Sequence, residues 1–441
     1  MKLFSGSNHF VLAKEREHHG KTGVEEFYED TLFGSAGLNK VEVNAKGRIM
    51  ADLGSQVPVP GKDIQLHLDA RLQQYAYDAL ESYKGSVVAM DPETGGILAL
   101  VSKPGFDPNL FVRGISYADY SILRESKKLP LFNRALRGGY PPASTIKPFM
   151  ALAGLEYGFA DWEEMYFAKG YYQINPNGRR YRDWKRSGHG WINLERSLIE
   201  SVDTYYYQLA QKMGITPIHD FLSRLGFGAQ TVLDLNGASN GLLPSNEWKK
   251  AKYKEPWYPG DSVNVGIGQG FIVATPLQIA AATSAVASRG YWHPPRMARL
   301  VDGVIPEFTD KQIELQEIKL KHPANWEKIV TAMQKVVSDS KGTARRLQGT
   351  PYTIAGKTGT GQVFSLQEDE EYEADKLDKR LHDHALFIGF APAKKPKIVV
   401  FAIFENGGSS SRPADLAKKL FDAYLLGDYP VEYDYLKGPK S

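Results

Sequence analysis

The chain has 441 residues, of which 42% are hydrophobic and 24% are charged, so it is long enough to bury a large core and to divide into two or three folding units. Its 54 basic and 51 acidic residues leave a net charge of +3, which gives no electrostatic indication of nucleic-acid binding. The absence of cysteine excludes disulfides, thiolate metal sites and a cysteine nucleophile.

Apolar runs in the sequence are short. Residues 1–20 contain no apolar core of signal-peptide length, and the longest apolar run, residues 398–404, is far too short to cross a bilayer. Because the sequence starts abruptly, we expect a targeting segment to be missing from its N-terminus.

The N-terminal part differs in composition from the rest. Residues 1–60 are polar and interrupted by Gly-rich stretches, and no self-contained core pattern is visible. We interpret them as a remnant or linker. Asp69 can then cap a helix with one apolar stripe that continues to Leu80. We assign residues 61–430 to the main domain and residues 431–441 to a C-terminal tail.

Two predicted hairpins lie at opposite ends of the main domain. Residues 86–90 and 97–101 are short β-type runs joined by turn-forming residues, and residues 386–390 and 398–404 flank a second polar turn. Strands at both ends with helices between them predict an α+β fold, in which helices pack on one antiparallel sheet built from distant segments. The helical patterns are Ile146–Tyr157, Leu194–Met213, Pro276–Ala287, Trp326–Ser338 and Asp415–Leu425.

The first motif that indicates chemistry is Ser144-Thr-Ile-Lys147. It follows a Tyr-Pro-Pro stretch and opens an apolar periodic segment, which places Ser144 at a helix N-terminus. At positions i and i+3 the two side chains share a face, so the amine can reach the hydroxyl, as a serine nucleophile with a lysine base requires. An isolated match is more often a helix cap and a surface lysine, so the interpretation depends on further motifs.

Two such motifs follow. Ser201-Val-Asp203 lies beside a predicted buried helix, although alone it also fits a polar turn in which Asp203 caps the helix. Lys357-Thr-Gly-Thr360 lies on a predicted strand, where Gly359 has no side chain and lets a substrate lie against the backbone. Penicillin-binding proteins and class A β-lactamases share the order of these three motifs.

The sequence resembles the class B penicillin-binding proteins, in particular their rod-elongation branch, over about residues 20–428. Asp203 fits that branch, since most relatives carry Asn there. The resemblance implies a penicillin-recognising, β-lactamase-like transpeptidase fold with a helical subdomain for residues 61–430, and a remnant of an N-terminal pedestal for residues 1–60. Beyond the motifs, it is carried by Gly85–Pro92, Pro108–Phe111, Tyr140–Pro148, Tyr181–Trp184, Gly266–Gly270, Thr275–Gln278 and Glu405–Gly407.

The resemblance also implies an activity, namely that Ser144 attacks the penultimate D-alanine carbonyl of a peptidoglycan stem peptide and passes the acyl group to a neighbouring amine. This would be cross-linking in cell elongation and shape maintenance, inhibited by β-lactam antibiotics. Lys147 would be the base, Ser201 a proton relay and Asp203 the group that holds the lysines in register. The implied catalytic residues are Ser144, Lys147, Ser201, Asp203 and Lys357, and the implied substrate-binding residues are Thr358, Gly359 and Thr360.

Lysine normally titrates near ~10.4, so burial and a nearby cation must lower the pKa of the base, and Lys357 is a suitable cation. The backbone N–H groups of Ser144 and Thr360 would form the oxyanion hole. No cofactor is expected. The resemblance places the protein at the periplasmic face of the bacterial inner membrane, with an anchor that would precede residue 20. Expected partners are a SEDS glycosyltransferase of the RodA type and elongation scaffold proteins.

Several alternatives stay open at this point. A serine β-lactamase shares the acylation step, a DD-carboxypeptidase shares the motifs, and a catalytically silent β-lactam sensor or scaffold is a third possibility. A P-loop at Gly356-Lys-Thr358 is excluded, because Pro351 stands where the phosphate cradle needs its first Gly. Asp183 and His189 are candidate metal ligands, but without an obvious third ligand a hydrogen-bonded loop is the preferred interpretation.

Overall fold

A computed structural model describes residues 2–6, 9–13, 19–112, 114–308, 316–363 and 378–436. Within these ranges, no helix is both long enough and apolar enough to span a membrane. The strands are β1 (Lys2–Gly6), β2 (His9–Ala13), β3 (Leu38–Val43), β4 (Ile49–Gln56), β5 (Ile64–Leu66), β6 (Gly85–Met90), β7 (Ile97–Lys103), β8 (Tyr166–Ala168), β9 (Tyr171–Tyr172), β10 (Tyr181–Arg182), β11 (Gly190–Ile192), β12 (Tyr291–Trp292), β13 (Ala298–Val301), β14 (Gln316–Glu317), β15 (Ala355–Gly361), β16 (His384–Ala391) and β17 (Ile398–Phe404).

The helices, apart from short 3-10 turns, are α1 (Gly23–Phe27), α2 (Glu29–Phe33), α3 (Ala70–Ala79), α4 (Asn109–Val112), α5 (Tyr117–Glu125), α6 (Arg134–Arg137), α7 (Lys147–Glu156), α8 (Leu194–Ile199), α9 (Asp203–Met213), α10 (Ile215–Arg224), α11 (Asn246–Tyr253), α12 (Pro259–Gly266), α13 (Pro276–Ala287), α14 (Ala324–Ser338) and α15 (Ser411–Leu426).

A five-stranded antiparallel sheet in the order β15-β16-β17-β6-β7 forms the centre of the main domain. Strand β17 is buried along its whole length, and its alternating side chains enter two different core layers. Phe401 belongs to the layer that contains α13, whereas Val400 belongs to the layer formed with α3 and α15. The sheet is therefore covered on both faces, and β15 forms one of its edges.

The predicted α+β architecture is confirmed. Both hairpins form, as β6–β7 and β16–β17, and Asp69 caps α3 by accepting a hydrogen bond from the Leu72 amide at 3.0 Å. One predicted element is wrong: the helical pattern of residues 194–213 is divided into α8 and α9. The chain breaks there because Ser201 adopts a left-handed φ of 55°, which a continuous helix does not allow.

Residues 2–56 contain a four-stranded antiparallel sheet in the order β1-β2-β3-β4, although the sequence shows no core pattern there. Most side chains of β3 and β4 are exposed, and Val41 is the buried member of these two strands, so the period-2 pattern of a half-buried sheet is missing. At the other end, residues 431–436 form a 3-10 turn in which Tyr433 is buried and donates to Asp78 at 3.0 Å. The boundaries at residues 60 and 430 stay a prediction.

Candidate active site

Ser144 lies in a 3-10 turn, residues 143–146, that leads directly into α7. The first residue of the turn, Ala143, fixes the turn in place. Its amide donates to the carbonyl of Gly268 at 2.9 Å, and its φ is 50°. Ser144 lines a cavity of about 600 Å³ together with residues of the other two motifs. The helix N-terminus predicted for Ser144 is confirmed.

The side chain of Lys147 is fully buried beneath this turn. Its ammonium donates to the carbonyl oxygen of Ser201 at 2.8 Å, to the Ser201 hydroxyl at 3.2 Å and to a carboxylate oxygen of Asp203 at 2.7 Å. The first and second motifs, which are 54 residues apart between Lys147 and Ser201, are therefore in direct contact.

Lys357 contacts the same hydroxyl. Its side chain is also fully buried, and its ammonium lies 2.7 Å from the Ser201 hydroxyl and 3.2 Å from the carbonyl oxygen of Thr358. Burial lowers the pKa of Lys357, and the nearby charge of Lys147 lowers it further, well below its ordinary value. The hydroxyl of Ser201 thus bridges two amines, one from each of the other motifs.

The carboxylate of Asp203 does not cap its own helix, so that alternative interpretation is wrong. Asp203 is the first residue of α9 and pairs with Lys147, while its other oxygen accepts from the Trp184 amide at 3.3 Å. A distant residue caps the helix instead, because Asp183 accepts from the Thr204 amide at 2.9 Å. The Thr204 amide has no partner within its helix, and because Asp183 accepts from it, Asp203 is available to Lys147.

Asp183 and His189 are close together, as the sequence suggested, in a hydrogen-bonded arrangement. The His189 ring is buried, with Nε2 3.1 Å from Asp183 and Nδ1 3.0 Å from Glu200. Burial lowers the pKa of His189, but the hydrogen bonds to these two carboxylates outweigh it, so the pKa is raised. No group of three or more potential ligands suited to a metal ion occurs among the described residues. The hydrogen bonds that the preferred interpretation expected are present.

Strand β15, which carries the third motif, is paired on one side by β16. Its other edge faces the cavity, where its backbone groups can pair with an extended peptide. The structure gives Gly359 a second role besides access to the backbone: a Cβ atom there would lie 2.9 Å from the Thr145 Cγ2 atom. The hydroxyls of Thr358 and Thr343 are 2.8 Å apart beside this strand.

Sequence reasoning missed much of the cavity wall. The most prominent missed residue is Trp184, whose indole N–H donates to the carbonyls of Glu200 and Ser201, both at 3.2 Å. From the sequence, Trp184 contributed only to the family resemblance, because nothing local assigns this side chain to the site. Asp383 was also missed, and burial raises its pKa to about 6. The wall residues not predicted as site residues are Arg182, Asp183, Trp184, Arg186, Tyr207, Ile267, Gln269, Thr343, Gln362, Asp383 and Ser410.

Comparison with known families agrees with this geometry. Residues 85–425 match the family described as "Penicillin binding protein transpeptidase domain", and residues 11–66 match "Penicillin-binding Protein dimerisation domain". The chain belongs to the penicillin-binding protein transpeptidase family. The resemblance drawn from the motifs is thereby confirmed.

Curated relatives of this penicillin-binding protein include Peptidoglycan D,D-transpeptidase MrdA of Haemophilus influenzae, which is 42% identical over 418 residues, or 94% of this chain and 64% of the relative. The MrdA protein of Acinetobacter baumannii is 44% identical over 408 residues, or 92% of this chain and 60% of the relative. The chain thus spans less than two thirds of the length of these relatives.

Solved structures give the same result for the fold. Pseudomonas aeruginosa PBP2 in complex with WCK 5153 matches with a TM-score of 0.82 at 44% identity, over 94% of this chain and 84% of that one. Helicobacter pylori PBP2, in a complex with MreC, matches with a TM-score of 0.82 at 31% identity, over 93% of this chain and 72% of that one. A chain of a peptidoglycan synthase complex matches with a TM-score of 0.78 at 30% identity, over 94% of this chain and 71% of that one.

Proposed function

We propose that this penicillin-binding protein is a peptidoglycan DD-transpeptidase that cross-links stem peptides through an acyl-enzyme on Ser144 during cell elongation. The observation that carries the proposal is the convergence of three distant segments in one cavity. Ser144 lines it, the Ser201 hydroxyl bridges Lys147 and Lys357, and an edge strand runs along it.

The charges in the site determine where protons can move. Two buried amines face one carboxylate, and Lys147 lies at ion-pair distance from Asp203. The strongly lowered pKa of Lys357 favours its neutral form before substrate binds, while Lys147 pairs with Asp203. The Ser201 hydroxyl, within hydrogen-bonding distance of both amines, is the path by which the proton can cross.

Substrate binding would reverse this distribution. The terminal carboxylate of a stem peptide, held beside Lys357 by the hydroxyls of Thr358 and Thr360, favours the charged form of Lys357. The proton then passes through Ser201, and Lys147 becomes the neutral amine that a base must be.

The acylation step follows from that arrangement. Lys147 takes the hydroxyl proton of Ser144, whose oxygen forms a bond to the penultimate D-alanine carbonyl carbon. The amide N–H groups of Ser144 and Thr360 would stabilise the oxyanion. When the C–N bond breaks, the leaving D-alanine amine receives a proton through Ser201. An acceptor amine then attacks the ester and the Ser144 hydroxyl is regenerated.

The rival functions differ in the fate of this ester. A β-lactamase hydrolyses its acyl-enzyme rapidly, and a DD-carboxypeptidase uses water in place of the acceptor amine. The relatives named D,D-transpeptidase favour transfer to an amine.

The decisive experiment is intact-protein mass spectrometry after incubation with a penicillin. We expect a stable adduct on the wild type and none on Ser144→Ala. Ser338→Ala is a matched control, because Ser338 begins the second Ser-x-x-Lys sequence of the chain, at the end of α14, and it should be labelled fully. An adduct on Ser144→Ala would refute the assignment. Continuous nitrocefin turnover would instead indicate a β-lactamase.

We further propose that the protein works at the periplasmic face of the bacterial inner membrane with an MreC-type scaffold protein and a SEDS glycosyltransferase. Support comes from the Helicobacter pylori PBP2 complex with MreC and from the peptidoglycan synthase complex, both similar in structure to this chain. Biolayer interferometry with purified partner ectodomains tests the proposal, and absence of binding at micromolar concentration would contradict it.

A further inference from the structure

The carboxylate of Glu405, directly after β17, is surrounded by three donors. Tyr140 donates its hydroxyl to Oε1 at 2.7 Å, Arg134 donates Nε to the same oxygen at 2.8 Å, and the Lys84 ammonium lies 3.0 Å from Oε2. Arg134 is only 2% exposed, and its terminal nitrogens donate to the backbone carbonyls of residues 128–129. The backbone carbonyls thus hold the arginine in place while its Nε binds the carboxylate.

Glu405 is ionised in this environment. Burial raises its pKa, but the Tyr140 hydrogen bond and the charges of Arg134 and Lys84 outweigh burial and hold the pKa below its usual value. Hydrogen bonds to an ionised acceptor are shorter and stronger than those between neutral groups. The position of the Tyr140 hydroxyl is thus closely determined.

The backbone of Tyr140 connects its fixed position to Ser144. This backbone exchanges two hydrogen bonds with Ala274, at 3.0 and 2.9 Å, and only Pro141, Pro142 and Ala143 separate it from Ser144. The two prolines fix their φ angles, so the connection between Tyr140 and Ser144 has little freedom.

The same tyrosine ring also packs against the strand pair that carries the third motif. Its centroid lies 5.7 Å from the His384 ring in an edge-on contact. His384 accepts a hydrogen bond from the Asn406 amide at 3.0 Å and pairs across the sheet with Gly361, at the end of β15. Tyr140 therefore lies between the serine turn and the strand on which the second oxyanion donor is expected.

We propose that Tyr140 and Glu405 are positioning residues that set the spacing between the backbone N–H groups of Ser144 and Thr360, and thereby the geometry of the oxyanion hole. The proposal rests on the proposed function. Neither side chain lines the active-site cavity, so both act through the Ser144 turn. Their loss should slow the acylation step and leave the affinity of the initial complex unchanged, because the oxyanion exists only after attack.

The test measures pre-steady-state acylation by a chromogenic β-lactam, which separates the acylation rate constant from the dissociation constant of the initial complex. Tyr140→Phe should lower the rate constant about tenfold or more, since small misplacements of reacting groups cost up to about 10²-fold. Glu405→Gln keeps an amide oxygen that accepts from Tyr140 and Arg134 but loses the charge that strengthens these hydrogen bonds, so it should slow acylation less than Tyr140→Phe does. Tyr352→Phe is the matched control, because Tyr352 donates to Asp422 at 2.6 Å and neither residue lines the cavity.

Melting temperatures of all three variants show that they are folded. The inference is overturned if Tyr140→Phe acylates at the wild-type rate, if it raises only the dissociation constant, or if Tyr352→Phe is slowed equally. The wild-type reaction reports separately on the proposed function, because absence of a wild-type adduct would refute that function, whereas the ratio of variant to wild-type rates tests only the positioning role.

Discussion

Replacing Ser201 by alanine is the most direct test of the proton path between the two lysines. The substitution removes the hydroxyl that lies 3.2 Å from Lys147 and 2.7 Å from Lys357. It preserves the carbonyl that accepts from Lys147 and from the indole of Trp184. Ser201 has a φ of 55°, a strained angle for serine and alanine alike, so the change adds no backbone strain of its own.

The substitution should lower the acylation rate and the stability by comparable free energies. A positioned proton-transfer group contributes about 10²–10⁴-fold to the reaction rate. In the variant, Lys147 still contacts Asp203, so the loss should fall at the lower end of this range. We therefore expect acylation to slow about 10²-fold, which corresponds to about 2.7 kcal/mol in the activation free energy. The lost buried hydrogen bond lowers the free energy of unfolding by about 1–3 kcal/mol.

The assay is time-resolved intact mass spectrometry of the penicillin adduct, at saturating inhibitor. Ser197→Ala is the matched control, since Ser197 is buried in α8, its hydroxyl lies 2.7 Å from the Leu194 carbonyl and 3.2 Å from the Tyr206 hydroxyl, and none of these three residues lines the cavity. The relay is refuted if Ser201→Ala acylates within twofold of the wild type, or if the control slows as much.

Three further predictions concern other groups. The acylation rate should fall on the acid side as the pH drops through the lowered pKa of Lys357, because a protonated Lys357 can no longer accept a proton through Ser201; a flat pH profile would contradict this. Gly359→Val should slow acylation at least about tenfold, because its Cβ would press on Thr145 and displace β15 from the serine turn; unchanged kinetics would contradict it. Burial lowers the pKa of His67 to about 4 from 6.5, so the unfolded chain binds more protons and stability declines as the pH falls from 6.5 toward 4. Chemical denaturation of His67→Gln should show a weaker decline over that range, and an equal one would be evidence against the shift.

The architecture of the main domain was predictable because its strongest signals are local. Short β-type runs joined by turn residues define both hairpins, and Asp69 caps α3 as its position indicates. The sheet of residues 2–56 was missed for the converse reason. Its described strands β3 and β4 face mostly solvent, so no hydrophobic pattern marks them.

Which residues form the active site was predictable to a lesser degree. Three motifs in a fixed order indicated which side chains meet, and the structure brings Lys147, Ser201, Asp203 and Lys357 into contact. What no motif indicates is that one hydroxyl bridges both amines. That arrangement depends on the left-handed φ of Ser201, which interrupts an otherwise helical pattern and is imposed by tertiary contacts rather than by local propensity.

The ambiguity of Asp203 shows why such arrangements escape sequence reasoning. An acidic residue in the first turn of a helix stabilises the helix N-terminus, and in sequence it cannot be distinguished from one that pairs with a distant lysine. In this structure Asp183 supplies the cap to Thr204 from 21 residues away, while the Trp184 amide fixes the second oxygen of Asp203. Because Asp183 accepts from the first-turn amide of α9, the carboxylate of Asp203 is free to pair with Lys147. This division of roles arises only when the Tyr181–Trp184 segment folds against α9.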